Sequence, residues 1–127
     1  MKTAQKLLEI ESLTENLAKK SAESGLLRHK VLYFISQYEN LSVSMIIEKL
    51  GIKKSNFALM TAELERDGFI NIHKAEIDKR CRTLSLTEKG RAELNRYIND
   101  LQTLCKNTSI DVDNALDILI KYLNKIV

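Results

Sequence analysis

Asp78, Lys79, Arg80 and Arg82 set three cations and one anion within five residues, at a point where the chain has to bend. In a bare hairpin those cations would repel one another, so the bend is built to rest against something more negative than itself. A row of phosphates is such a surface, because cations that crowd badly in water are stabilised when phosphate is their counterion. The plain alternative is a solvated turn whose surface ion pairs contribute about 0–1 kcal/mol.

Other residue types that could carry chemistry are thinly spread. Cys81 stands between Arg80 and Arg82, a cationic setting of the kind in which thiols are oxidised, and is either a redox residue or an incidental part of the bend. Cys105 falls on an apolar helical stripe and reads as a small packed hydrophobe. His29 and His73 are far apart and belong to no ligand-spaced cluster, so each reads as an ordinary core or surface residue and no metal or cofactor is expected. There is no Ser–His–Asp order, glycine-rich phosphate loop or paired-carboxylate motif, which argues against an enzyme.

Composition narrows the class further. The 127 residues suit one domain, and 44% hydrophobic with 29% charged residues is a globular balance. Twenty basic against seventeen acidic residues leave a formal charge of only +3, so any binding to a polyanion must come from local placement of charge. No apolar run approaches the roughly 18 residues that a membrane-spanning helix needs, and the opening "MKTAQKLLEIESLTENLAKK" is too charged for a signal-peptide core. Two cysteines without disulfide or zinc spacing make a cytoplasmic address the default.

The elements that must position the charged bend can be read from periodicity and breaks. Leu7, Ile10, Leu13 and Leu17 recur at helical spacing between residues 4 and 22, and Gly25 ends that helix. Leu27, Val31, Phe34, Ile35 and Tyr38 mark a second helix. Ser42 or Ser44 can cap a third, with Ile46, Ile47 and Leu50 as its buried stripe and Gly51 as its stop. "SNFALMTAELERDG" follows, with Phe57, Met60 and Leu64 inward and Gly68 at its end; two short helices joined around a glycine make a helix-turn-helix.

After Gly68 the period changes to 2. "FINIHKA" and "RTLSL" alternate as strands on either side of a bend at residues 76–81, which turns the helix-turn-helix into a winged helix. Thr87 caps a long helix with Leu94, Tyr97, Ile98, Leu101, Leu104 and Cys105 on its stripe. The polar break "KNTSIDVD" precedes a last helix with Val112, Leu116, Leu119, Leu123 and Ile126 in a coiled-coil seam, and Asp111 and Asp113 suit its positive end. The apolar stripes of the terminal helices exceed what a small winged-helix core can cover. Each buried leucine is worth about 1.5–3 kcal/mol, so the stripes call for a partner, most simply a twofold copy of the chain.

With these elements in place the chain resembles the MarR family of bacterial transcriptional regulators. Asp78, Arg80, Leu84, Leu86, Thr87 and Gly90 match its wing signature, spaced D-x-R-x-x-x-L-x-L-T-x-x-G, and "IIEKLGIKKSNFALMTAELERDGFI" fits its helix-turn-helix. The close match covers residues 41–100; the small SarA-type regulators share this fold. The resemblance implies a mainly α fold, an α+β winged helix-turn-helix with N- and C-terminal dimerisation helices. In that division residues 26–90 form the DNA-binding lobe of a single domain, and 1–24 and 91–127 form the dimer helices. Leu7, Ile10, Leu13, Leu17, Val112, Leu116, Leu119, Leu123 and Ile126 would lie in the dimer interface.

The resemblance also implies that the wing arginine, Arg80, enters a minor groove while the recognition helix enters the major groove. Physical chemistry favours the same use, since a narrow minor groove concentrates negative potential and a guanidinium is long and weakly hydrated. Asp78 is placed to orient Arg80, and Lys79 and Arg82 to meet flanking phosphates. On the recognition helix Ser55, Leu59, Ala62 and Arg66 turn outward, with Asn56, Ala58 and Glu63 on the flanks and Lys53 and Lys54 near phosphates.

Three positions depart from the family pattern. Leu59 stands where relatives often carry a polar base reader. Lys53 replaces a small capping residue, so Ser55 is expected to cap the helix one position late. Ile47 occupies the place of a small alanine. The implied function is a homodimeric repressor on a pseudo-palindromic operator of double-stranded DNA; whether it answers to a small-molecule effector, and to which, is not written in the sequence. The alternative is a winged helix that has lost DNA and binds protein.

Overall fold

The computed structural model describes residues 1–21, 26–39, 41–74, 81–105 and 108–127. In chain order the elements are α1 (Thr3–Ser21), α2 (Leu26–Gln37), α3 (Val43–Leu50), α4 (Lys54–Arg66), β1 (Ile70–Lys74), β2 (Arg82–Leu86), α5 (Glu88–Leu104) and α6 (Ile110–Ile126). Gly25, like most of the expected bend, lies outside the described residues.

The core sits inside the winged-helix lobe. Val31, Leu32 and Ile35 of α2 are fully buried and meet Ile46 and Leu50 of α3, Phe57 and Leu64 of α4, and Leu94 of α5. The spacing of those residues along each helix is what allows one face to bury and the other to stay wet. Ser42 ends the extended approach to α3, its side chain accepting from the Met45 N–H at 3.4 Å, and Gly51 closes the helix in the left-handed conformation at φ 66°. Of the two serines considered as the cap, Ser42 is the one used.

The end of α4 is a Schellman turn. The N–H of Phe69 donates to the Leu64 carbonyl at 2.9 Å and that of Gly68 to the Glu65 carbonyl at 3.0 Å, with Gly68 at φ 80°. This reversal delivers the chain into the wing. Strands β1 and β2 pair antiparallel with Ile70 opposite Leu86 and Ile72 opposite Leu84, which turns the apolar residues to one face. Ser42 adds a single bridge to Thr83, so a third backbone segment borders the ribbon.

Thr87 begins α5 as the sequence predicts, accepting from the Gly90 N–H at 3.0 Å. The last helix starts earlier than expected. Ser109 caps it, accepting from the Val112 N–H at 3.2 Å, so the helix begins inside the polar break. Asp111 and Asp113 are then in its first turn. α1 lies along α5, whereas α6 buries none of its residues within the chain. Cys105 follows α5 as its C-terminal cap and is half-buried, beyond the helical stripe on which it was expected. Among the described residues no helix is long and apolar enough to cross a membrane, and no group of three or more metal-ligating side chains comes together.

Candidate nucleic-acid interface

Helix α4 presents two unlike faces. Phe57 and Leu64 are buried in the core, and Thr61 joins them at 8% exposure, while Met60 is half-buried at the margin. The inward triad therefore includes Thr61, which the apolar pattern passed over as a polar residue; its hydroxyl bonds back to the Ala58 carbonyl at 3.1 Å and so can be buried without an outside partner. On the other side Ser55, Asn56, Ala58, Leu59, Ala62 and Arg66 are exposed, as are Lys53 and Lys54.

The start of α4 differs from those of α3, α5 and α6. α3, α5 and α6 each begin with a serine or threonine accepting from the first turn. α4 has Lys53 at that position, in extended conformation and with no side-chain cap, and its first turn holds no acidic residue. Ser55 lies inside the helix and does not take over the capping role that the sequence assigned to it. The reason is geometric: the helical backbone already begins at Lys54, so the Ser55 hydroxyl cannot reach the N–H groups ahead of it. Two lysines thus stand at the positive end of a helix dipole, where each is unfavourable and an anion is favoured.

The wing meets this end of α4 across a concavity of about 650 Å³. Lys54, Ala58 and Thr61 line one wall, Cys81, Arg82 and Leu84 another, and Ser42 and Ser44 the rim towards α3. The structure thus brings Lys54 and Arg82, 28 positions apart in the sequence, to one hollow. Asp78, Lys79 and Arg80 lie outside the described residues. Arg82 and Cys81 are both exposed. His73 is also exposed and pairs across the ribbon, its Nε2 2.9 Å from Ser85 Oγ.

The corner behind α4 is held by charge on an aromatic ring. Arg28 of α2 meets Asp67 at 3.0 Å and lies 4.8 Å above the Phe69 ring, while Lys89 of α5 stands 5.0 Å from that ring and donates to the Asp67 carbonyl at 2.9 Å. These contacts fix where α4 ends relative to α2 and α5, and so the angle at which its outer face is offered.

Sequence reading also missed the polar link between the lobe and α5. His29 is 6% exposed, its ring stacked on Tyr97 at 4.2 Å, with Nε2 3.1 Å from Glu93 Oε1. A carboxylate accepts, so Nε2 carries the proton, and Nδ1 is buried with no hydrogen-bond partner among the described residues. The Arg96 guanidinium bonds Glu93 in turn and, with the His29 hydrogen bond, holds its carboxyl below the ordinary glutamate range against the opposing effect of burial. His29 carried no sequence signal for this, because its partner lies 64 residues away.

On the sides of α1 and α6 expected to meet a partner, Ile10, Leu13, Val112, Leu116 and Ile126 are exposed and Leu7, Leu17, Leu119 and Leu123 half-buried. None of Leu7, Ile10, Leu13, Leu17, Val112, Leu116, Leu119, Leu123 and Ile126 is buried within the chain.

Comparison with known proteins agrees with this architecture. The winged helix DNA-binding domain family matches residues 27–105. The HTH-type transcriptional regulator PetP of Rhodobacter capsulatus is 35% identical over 78 residues, which are 61% of this chain and 46% of PetP, so the chain matches about half the length of that relative. Apo MarR from E. coli superposes with a TM-score of 0.78 at 20% identity, over 97% of this chain and 96% of MarR. MepR from S. aureus, solved in complex with DNA, gives a TM-score of 0.68 at 15% identity over 100% of this chain and 99% of MepR. The chain belongs to the winged helix DNA-binding domain family and has the fold of the MarR transcriptional regulators.

Proposed function

We propose that two copies of this chain form a twofold dimer that binds a pseudo-palindromic operator and represses transcription in the cytoplasm. The observation that carries the reading is the start of α4: an uncapped helix end bearing Lys53 and Lys54, facing Arg82 across a hollow, is unfavourable in a free protein and favourable against phosphate. Residues 26–90 act as the DNA-binding lobe, and 1–24 with 91–127 as the dimer helices. Lys53, Lys54, Lys79 and Arg82 meet the backbone, with Arg66 at the far end of α4. Arg80, oriented by Asp78, enters the minor groove, and Ser55, Asn56, Ala58, Leu59 and Ala62 face the bases. The MepR complex with DNA supports this use of the fold. Two recognition helices of such a dimer meet successive major grooves about 34 Å apart, and repression by occlusion needs no further contact.

A small-molecule effector acts on such a dimer only if it binds one spacing of the two lobes better than another. The test of the function is a gel shift with random duplex at low and high salt, wild type beside Arg80→Ala. Binding that falls steeply with salt and weakens in the variant is expected. Absence of any shift at low salt removes the reading in favour of a protein-binding winged helix.

A further inference from the structure

The outer face of α4 is unusually poor in hydrogen-bond donors for a surface that would read bases. Its sequence from Lys54 to Arg66 holds cations only at the two ends and a single amide, Asn56, on the flank. Arg66 is drawn aside to Asp67 at 3.6 Å. A recognition helix contacts base edges mainly with its first turns. There the central side chain is Leu59, 66% exposed, with Ser55 beside it and exposed Ala58 and Ala62 flanking it. The exposure of Leu59 is not slack in the fold, since Phe57 and Leu64 of the same helix are sealed in the core.

An arginine or lysine at this place would select guanine through O6 and N7, whereas leucine offers neither charge nor donor. The one apolar feature that a base pair displays in the major groove is the C5-methyl of thymine. Alanines on either side keep the helix surface low, so that a side chain as short as leucine reaches the groove floor. We propose that Leu59 is a specificity-determining residue that recognises a thymine methyl in each half-site. The assignment rests on the DNA-binding reading above and adds to it which base is read, and by what chemistry.

The test starts from duplexes selected by the full chain out of a random pool at low salt. Each thymine of the selected half-site is then replaced in turn by deoxyuridine, which removes the methyl and leaves every hydrogen-bonding group in place. Loss of about one buried methyl's contact predicts roughly fourfold weaker binding at one thymine position, and about fifteenfold when both half-sites are changed. At that position 5-methylcytosine should bind about fourfold better than cytosine, because it returns the methyl to the same place. Leu59→Ala, a truncation of an exposed side chain, should bind the thymine and deoxyuridine duplexes alike.

If deoxyuridine is tolerated at every position, or if its penalty persists in Leu59→Ala, the proposal is wrong although DNA binding stands. If no duplex is enriched at all, the regulator reading fails and the proposal falls with it.

Discussion

The carbonyl oxygen of Phe69 occupies the space that a side chain at Gly90 would need: a Cβ placed there collides with that oxygen and presses on the Phe69 backbone. Thr87 reinforces the same junction, its N–H donating to the Phe69 carbonyl at 3.0 Å and its hydroxyl to the Gly68 carbonyl at 2.6 Å. Leu84 and Leu86 are buried in the lobe's core. Thr87 and Gly90 of the wing signature therefore build the seam between α4, the wing and α5, while its two leucines fill the core. The close approach demands glycine for space and not for backbone freedom.

Gly90→Ala should accordingly destabilise the fold by about 1–3 kcal/mol, the cost of forcing a methyl into a packed junction. Urea unfolding followed by circular dichroism measures this, and an unchanged midpoint would remove the structural role assigned to Gly90.

Lys53→Ser should separate stability from binding. A serine at this position restores the missing cap of α4 and stabilises the protein by about 0.5–2 kcal/mol. The same change removes a cation from the proposed phosphate contact, so DNA affinity should drop and the slope of log K against log salt should lessen by about 1. Thermal unfolding and a salt series of binding isotherms read the two effects independently. A variant that gains stability and binds as before would show that Lys53 does not meet phosphate.

Leu119→Asp should break the proposed dimer. Leu119 is only half-buried, in a helix with no fully buried residue in its own chain, and each leucine hidden in an interface contributes about 1.5–3 kcal/mol, counted twice in a symmetric dimer. Sedimentation should show the variant dissociating at concentrations about a hundredfold higher than the wild type or more. Its winged-helix lobe should keep its helical signal, because the core lies elsewhere. A variant that sediments as the wild type does would place the dimer contact on another surface.

Glu93 gives a pH dependence of definite sign. The Arg96 hydrogen bond first, and then that to His29, lower its pKa in the folded state. A lowered carboxyl contributes stability that is complete above its unfolded value and is lost as pH falls through the folded value. Glu93→Gln should thus be less stable than the wild type at neutral pH, with the gap closing below about pH 4. Glu93→Ala also leaves the buried Nε2–H of His29 without an acceptor, at a cost of about 1–3 kcal/mol. Denaturation midpoints across pH 3–7 check both, and a gap that does not depend on pH would mean that the ion pair is not involved.

Much of the architecture was legible in order of residues alone, because it depends on contacts within one turn or between adjacent strands. Helical spacing in α2 and α3, the stops at Gly51 and Gly68, the alternation through Leu84 and Leu86 and the cap at Thr87 are all local arrangements. The D-x-R-x-x-x-L-x-L-T-x-x-G spacing pointed to the family for the same reason. What local pattern could not decide was how distant groups meet. Packing alone set His29 against Glu93, Lys54 across a hollow from Arg82, and the Phe69 carbonyl against Gly90. Packing also settled that Thr61 turns inward and that Lys53, not Ser55, stands at the uncapped start of α4. Such pairings are chosen by the total burial of a whole lobe, a property that no window of neighbouring residues contains.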